Sequence, residues 1–176
     1  MRFYVRHRAH FACEYCGVGE VDVGGELTID HYHPLSKGGD DSPDNLVYCC
    51  VRCNQHKGDY WPEHPDDPLL WNPRREPSSL HFTINTDGSL LSLTGTGSFT
   101  LHRLNLNRPQ LIARRRRAIR IAEEKRLLER RRELVETRVR ELSARTELNE
   151  EQRELLHELL DLLRRQASGS AGDDDA

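Results

Sequence analysis

The chain has no stretch near the roughly 18 consecutive apolar residues that a membrane span requires. Its opening, "MRFYVRHRAHFACEYC", has neither the apolar core nor the small-residue cleavage site of a secretory signal. The expectation is therefore a cytoplasmic chain without a membrane partner, its thiols reduced. Net positive charge is also missing. There are 26 basic and 29 acidic residues, a net charge of −3, which argues against a generally basic nucleic-acid coat. Apolar residues make up 36% of the 176 positions and charged residues 31%, too polar a mixture for one core across the whole length. One small domain with an extension fits that balance. Neither proline nor glycine occurs between Gln110 and Ser168, so no turn-rich domain lies there, and no internal repeat is evident.

That long stretch is instead dense in Arg, Glu and Leu, and reads as helix. Pro109 suits a first helical turn. Ile121, Leu128, Val135 and Leu142 recur every seven residues, with Val139 four after Val135. Beyond Leu142 the register fails, and "NEEQ" (Asn149 to Gln152) has the form of a capping box. A second apolar set follows, from Leu155 to Leu163. Residues 109–166 are therefore expected to form a charged helical extension of two helices, near 109–145 and 150–166. The tail 167–176, "ASGSAGDDDA", is expected to be disordered. Residues 61–108 are rich in Pro, Trp and turn residues. Within them "SLHFTINTDGSLLSLTG" alternates and turns at "TDG", predicting a hairpin with strands near 80–85 and 89–94.

Residues 1–60 hold all five cysteines. Cys13 and Cys16 form one C-x2-C pair, and Cys50 and Cys53 another. Each pair can deliver two thiolates to one side, and two pairs complete a tetrahedral zinc site. Such a closed site is structural. Cys49 is left over and reads as a small buried residue. The 33 residues between the pairs exceed a simple ribbon's gap, so something is inserted. The insert contains "IDHYHP", Ile29 to Pro34. On those six residues alone a metal site, a catalytic base and a strand end all stay open. Composition gives a strand over "ELTIDHYHP", a loop over "LSKGGDDSPDN", a strand over "NLVYCC" and a helix over "VRCNQHKGDY".

The combined string C-x2-C, D-H-x-H-P-x-S-K-G-G, D-N-L and C-x2-C-N-x2-K-G, over residues 13–58, resembles the HNH endonuclease family. The resemblance implies an α+β fold: a small ββα-metal nuclease core with the four-cysteine zinc site at 1–60. The β-hairpin region at 61–108 and the long helical C-terminal extension follow it. It implies hydrolysis of phosphodiester bonds, in DNA with RNA remaining open, to 5′-phosphate and 3′-hydroxyl ends. It also implies roles. His31 is the general base, Asp30 and Asn54 bind one Mg2+ or other divalent metal, and Asn45 holds the loop and orients His31. "LLWNPR", "LHFTI" and "LNLNRPQLIARRR" are similar to the region that follows the motif in many bacterial members, though Ser98 stands near where an arginine is expected.

The residue types suit the chemistry. A histidine accepts a proton near neutral pH, and a hard cation with oxygen ligands stabilises charge at phosphorus and on the leaving oxygen. Adjacent residues of a straight strand face opposite ways, so Asp30 and His31 share a site only if the strand bends or ends there. His33 has no assigned role. Lys57, one turn after Asn54, Arg114 and Arg115 are candidate phosphate contacts. The arginines of "RRRRAIR" can equally pair with Glu123, Glu124 and Glu129 on neighbouring turns. The leucine pattern can bury only against another helix, which admits a coiled-coil homodimer or a partner protein. Two other readings compete. One is a non-catalytic zinc module that binds nucleic acid. The other is a helix-mediated interaction protein with an idle nuclease core.

Overall fold

A computed structural model describes residues 1–169. The class is α+β, as the sequence implies. Helices α1 (Arg2–Arg8) and α2 (Glu20–Val23) precede strands β1 (Thr28–His31) and β2 (Leu46–Cys49) and helix α3 (Val51–Lys57). A second hairpin, β3 (Phe82–Ile84) and β4 (Leu90–Ser92), leads to α4 (Gly95–Arg103) and α5 (Pro109–Gly169). The strands predicted near 80–85 and 89–94 are present but shorter. Packing divides the chain into two units, residues 1–121 and the residues from 122 onward.

In the first unit β1 and β2 are antiparallel, pairing Thr28 with Cys49, Ile29 with Tyr48, Asp30 with Val47 and His31 with Leu46. All four residues of "LVYC" in β2 are buried. A continuous apolar run suits a strand covered on both faces, and alternation would not. One cover is α1, which lies on β2 and buries Val5, while α3 packs against β1. The core extends past the first sixty residues. Leu70, Trp71, Phe82, Leu104, Leu106 and Leu111 belong to the same buried cluster as Leu27, Leu46, Val47 and Tyr48. Trp71 is pinned in it, its backbone N–H donating to Thr100 Oγ1 at 2.7 Å and its indole N–H to the Glu76 carbonyl at 2.9 Å.

An ion pair ties the N-terminal elements together. Arg6 on α1 donates in a fork to Glu20 on α2, at 2.6 and 2.7 Å, and the Tyr48 hydroxyl of β2 donates to the same carboxylate. Those bonds, first from Arg6 and then from Tyr48, pull the Glu20 carboxyl down from 4.5 to about 2. The folded value lies below the unfolded one, so the stabilisation is complete above pH 4.5 and is lost as pH falls through about 2. Urea midpoints measured between pH 5 and pH 2 are expected to fall less steeply for Glu20→Gln than for the parent. Identical slopes would show that the clamp carries no acid sensitivity.

In the second unit the helical assignment runs unbroken through Asn149, which corrects the expected break between 145 and 150. The capping signal at "NEEQ" is local, and no glycine or proline stops the helix. An asparagine inside a helix costs only a few tenths of a kcal/mol relative to good helix formers. Pairs such as Arg132–Glu136 at 2.8 Å and Arg138–Glu141 at 3.0 Å add similar small amounts. Of the expected disordered tail, residues 167–169 continue the helix and 170–176 lie outside the described residues. No helix among the described residues is long and apolar enough to cross a membrane.

Candidate active site and metal centre

The two C-x2-C pairs meet. Cys13 and Cys16 lie on a tight turn closed by Gly17, whose N–H donates to the Cys13 carbonyl at 2.8 Å with φ at +72°. Cys50 caps α3, its sulfur accepting from the Cys53 N–H, so the helix start presents the second pair. All four sulfurs lie within 4.8 Å of one another, and Cys16 and Cys50 are 3.7 Å apart. A tetrahedron with Zn–S bonds of about 2.3 Å has edges of about 3.8 Å. The cluster is therefore positioned to bind a metal ion, and its donor set fits Zn2+. Sulfur hydrogen bonds from Cys13, Cys16 and Cys53 hold the Cys50 thiol far below its ordinary value. A cation sits beside the cluster. The Arg108 guanidinium stands 3.8–4.0 Å from Cys16, Cys50 and Cys53, where it would offset the negative charge of four thiolates on a bound divalent ion. Cys49 stays outside, fully buried, and burial followed by the charge of Asp30 pushes its thiol up to about 12.

The loop between the strands is organised by Asn45. Its Oδ1 accepts from the His33 N–H at 2.7 Å, and its Nδ2 donates to the His33 and Asp40 carbonyls at 2.9 and 2.7 Å. The loop thus folds back over the strand end. Gly39 lies so close that a Cβ there would stand 1.9 Å from the His33 carbonyl oxygen, so no other residue fits without a backbone shift. Asn45 holds the loop but does not bond the His31 ring. Asp41 does, its carboxylate standing 2.7 Å from His31 Nε2. A carboxylate only accepts when ionised, so Nε2 donates this bond, and in the neutral imidazole Nδ1 is then the acceptor. Among the described residues no partner occupies Nδ1.

His33 has a packing role. Its ring stacks on Trp61 with centroids 3.7 Å apart, and its Nε2 donates to the Lys37 carbonyl at 2.8 Å. Both His33 and Trp61 border an open cleft of about 380 Å³, with Asn72 and Arg75 on another side.

Asp30 points to the other side, toward α3. Its Oδ2 lies 3.1 Å from Lys57 Nζ, and the lysine is fully buried. The alignment is not that of a hydrogen bond. The ammonium donates to the Gly58 carbonyl, leaving buried Asp30 Oδ2 without a hydrogen-bond donor. Asn54 precedes Lys57 by three residues and so shares its helix face. Its side chain is half-buried, with no hydrogen bond among the described residues. The Asp30 carboxylate, ion-paired with Lys57, and the Asn54 amide lie on neighbouring elements and are oxygen donors of the type a divalent metal takes.

The phosphate contacts need correction. Lys57 has no exposed surface and is committed to Asp30. Arg115 is 9% exposed and donates to the Gly88 and Leu106 carbonyls and to Asn107 Oδ1, which makes it a brace for the loop before α5. Arg114 is half-buried and pairs with Asp22 at 2.9 Å. Arg116, Arg117 and Arg120 are the exposed members of the run. Sequence reasoning missed Asp41 and Arg108. Asp41 is one of two adjacent loop aspartates, and only its pairing singles it out. Arg108 lies 92 residues from Cys16, with no spacing rule to connect them.

The HNH endonuclease family model matches residues 13–60. No curated protein and no solved structure matches the chain. The matched segment spans both cysteine pairs and the β1–loop–β2–α3 unit between and after them, and residues 13–60 are accordingly an HNH endonuclease domain with a four-cysteine cluster.

Proposed function

We propose that the protein is an endonuclease that hydrolyses phosphodiester bonds in DNA, using one divalent metal ion and His31 as general base. The observation that supports it best is the family match over residues 13–60, which contain Asp30, His31 and Asn54. Asp30 keeps a buried carboxylate oxygen free of hydrogen bonds, and the next residue has its imidazole held through Nε2. Asp30 and Asn54 would hold the metal, Mg2+ fitting their oxygen donors. When bound, such an ion stabilises negative charge on the phosphate and the departing oxygen.

The chain's own groups do the rest. His31 Nδ1 takes a proton from the attacking water, and Asp41, on Nε2, fixes the tautomer and stabilises the imidazolium that forms. Asn45 keeps the loop that carries Asp41 closed over the strand. The products would carry 5′-phosphate and 3′-hydroxyl ends. Zn2+ in the cysteine cluster would hold the scaffold and take no part in the chemistry. Exposed Arg116 and Arg117 suit phosphate contact outside the reacting centre.

Supercoiled plasmid incubated under a panel of divalent metals tests this. Cleavage should require an oxygen-preferring metal, and His31→Ala should slow it by about 10² to 10⁴, the usual contribution of a general base. Equal cleavage by both proteins would remove His31 from the mechanism. Binding without cleavage under any metal would favour a non-catalytic nucleic-acid module.

A further inference from the structure

The helix from residue 122 onward carries apolar side chains that its own unit does not cover. Leu128, Val135 and Leu142 keep a seven-residue register that Asn149 interrupts and Leu156 resumes, with Leu127, Leu134 and Leu155 one position before. Their exposure runs from 49% to 67%, and a single helix has nothing to bury them against. A strict seven-residue repeat drifts by about 20° per repeat on a straight helix, which a left-handed supercoil with a second helix corrects.

Charge along the helix identifies that second helix. Residues 125–132 hold five basic side chains and one acidic. Residues 133–146 hold three of each, and residues 147–161 hold six acidic and one basic. The two charged blocks flank Leu142 almost evenly. A second copy laid parallel would set basic block on basic block and acidic on acidic. Laid antiparallel, each basic block faces an acidic one. Charges flanking an apolar seam set partner orientation in this way, and like charges held opposite one another are unfavourable.

We infer that the protein dimerises through this helix, two copies pairing antiparallel about a twofold axis near Leu142. The seam buries the exposed leucines of both chains, and the charge gradient sets the direction. The inference does not depend on nuclease activity.

Sedimentation equilibrium on the full chain, zinc-loaded and free of nucleic acid, should give twice the chain mass of 20.4 kDa. Leu128→Glu with Leu156→Glu should raise the dissociation constant by about 100-fold, the scale expected when buried leucines are lost from both chains. The far-UV helical signal of the diluted, monomeric proteins should match, which separates lost pairing from lost folding.

Energy transfer between copies reads the direction. Dyes placed through unnatural amino acids at position 126 of one copy and 158 of the other should transfer strongly. Dyes at 126 of both copies should lie about 48 Å apart at 1.5 Å per residue, and transfer weakly. A single-chain mass at high micromolar concentration would overturn the inference. So would the reverse transfer pattern, a larger assembly, or a dimer indifferent to the two substitutions.

Discussion

Stripping metal from the cysteine cluster is expected to unfold the protein's first unit. Cys13 and Cys16 precede β1, and Cys50 and Cys53 follow β2 and open α3. The cluster thus joins segments that the hairpin alone holds weakly, since strands of four residues are marginal without further support. Apparent zinc-binding energies at such sites are about 10–16 kcal/mol, as large as the whole stability of a typical domain, about 5–15 kcal/mol. Treatment with a strong chelator, or Cys53→Ser, should therefore abolish the cooperative thermal transition and the near-ultraviolet signal of buried Tyr48 and Trp71. Retention of both after verified metal loss would mean that the core stands without the ion. Arg108 sharpens the test. Arg108→Met should weaken zinc retention while leaving all four ligands in place, because the thiolate charge then lacks its neighbouring cation.

Lys57→Met is expected to destabilise the zinc-loaded, Mg2+-free protein by about 3–5 kcal/mol, the cost of breaking a buried ion pair and leaving one charge uncompensated. Methionine approximates the lysine stem in volume, so the loss reports charge more than packing. The same change should make stability more responsive to Mg2+. In the parent, an incoming divalent ion shares Asp30 with an ammonium 3.1 Å away; in the variant it meets an unpaired carboxylate. Thermal melts with and without millimolar Mg2+ should show a larger metal-induced rise for Lys57→Met than for the parent. An equal rise in both would place the metal away from Asp30.

The local chemistry was legible wherever a short string carries its own geometry. A C-x2-C pair presents both sulfurs to one side of a single turn, so the sequence can announce the cluster. The Asp30–His31 dipeptide, Asn45 and Asn54 likewise stand at fixed steps along a strand, a loop and a helix that the residue types predict. Burial was less legible. Lys57 is a lysine in a helix too short to show a polar face, and nothing local says that Asp30 lies beneath it. The arginine run is expected to contact phosphate or to pair with glutamates on neighbouring turns, but the first unit packs around that helix start and takes Arg115 inside. Helix α4 has no place in the hairpin and turn-rich region expected over 61–108. Thr94 caps the helix by accepting from the Gly97 N–H at 3.0 Å, and Gly97 is required because a Cβ would stand 2.4 Å from the His81 carbonyl oxygen. The break expected near Asn149 failed for the opposite reason. There the signal was present, and the surrounding helix formers outweighed it.

The shared core bears on how such a domain can be inherited. The recognisable motif ends at residue 60, but part of its apolar cover comes from Leu70, Trp71, Leu104 and Leu106. The cation beside its sulfurs comes from Arg108. Grafted alone into another protein, residues 13–60 would carry the four cysteines and His31 and would leave behind part of their apolar cover and Arg108. The unit that recombination could move intact is about twice as long as the motif that identifies it.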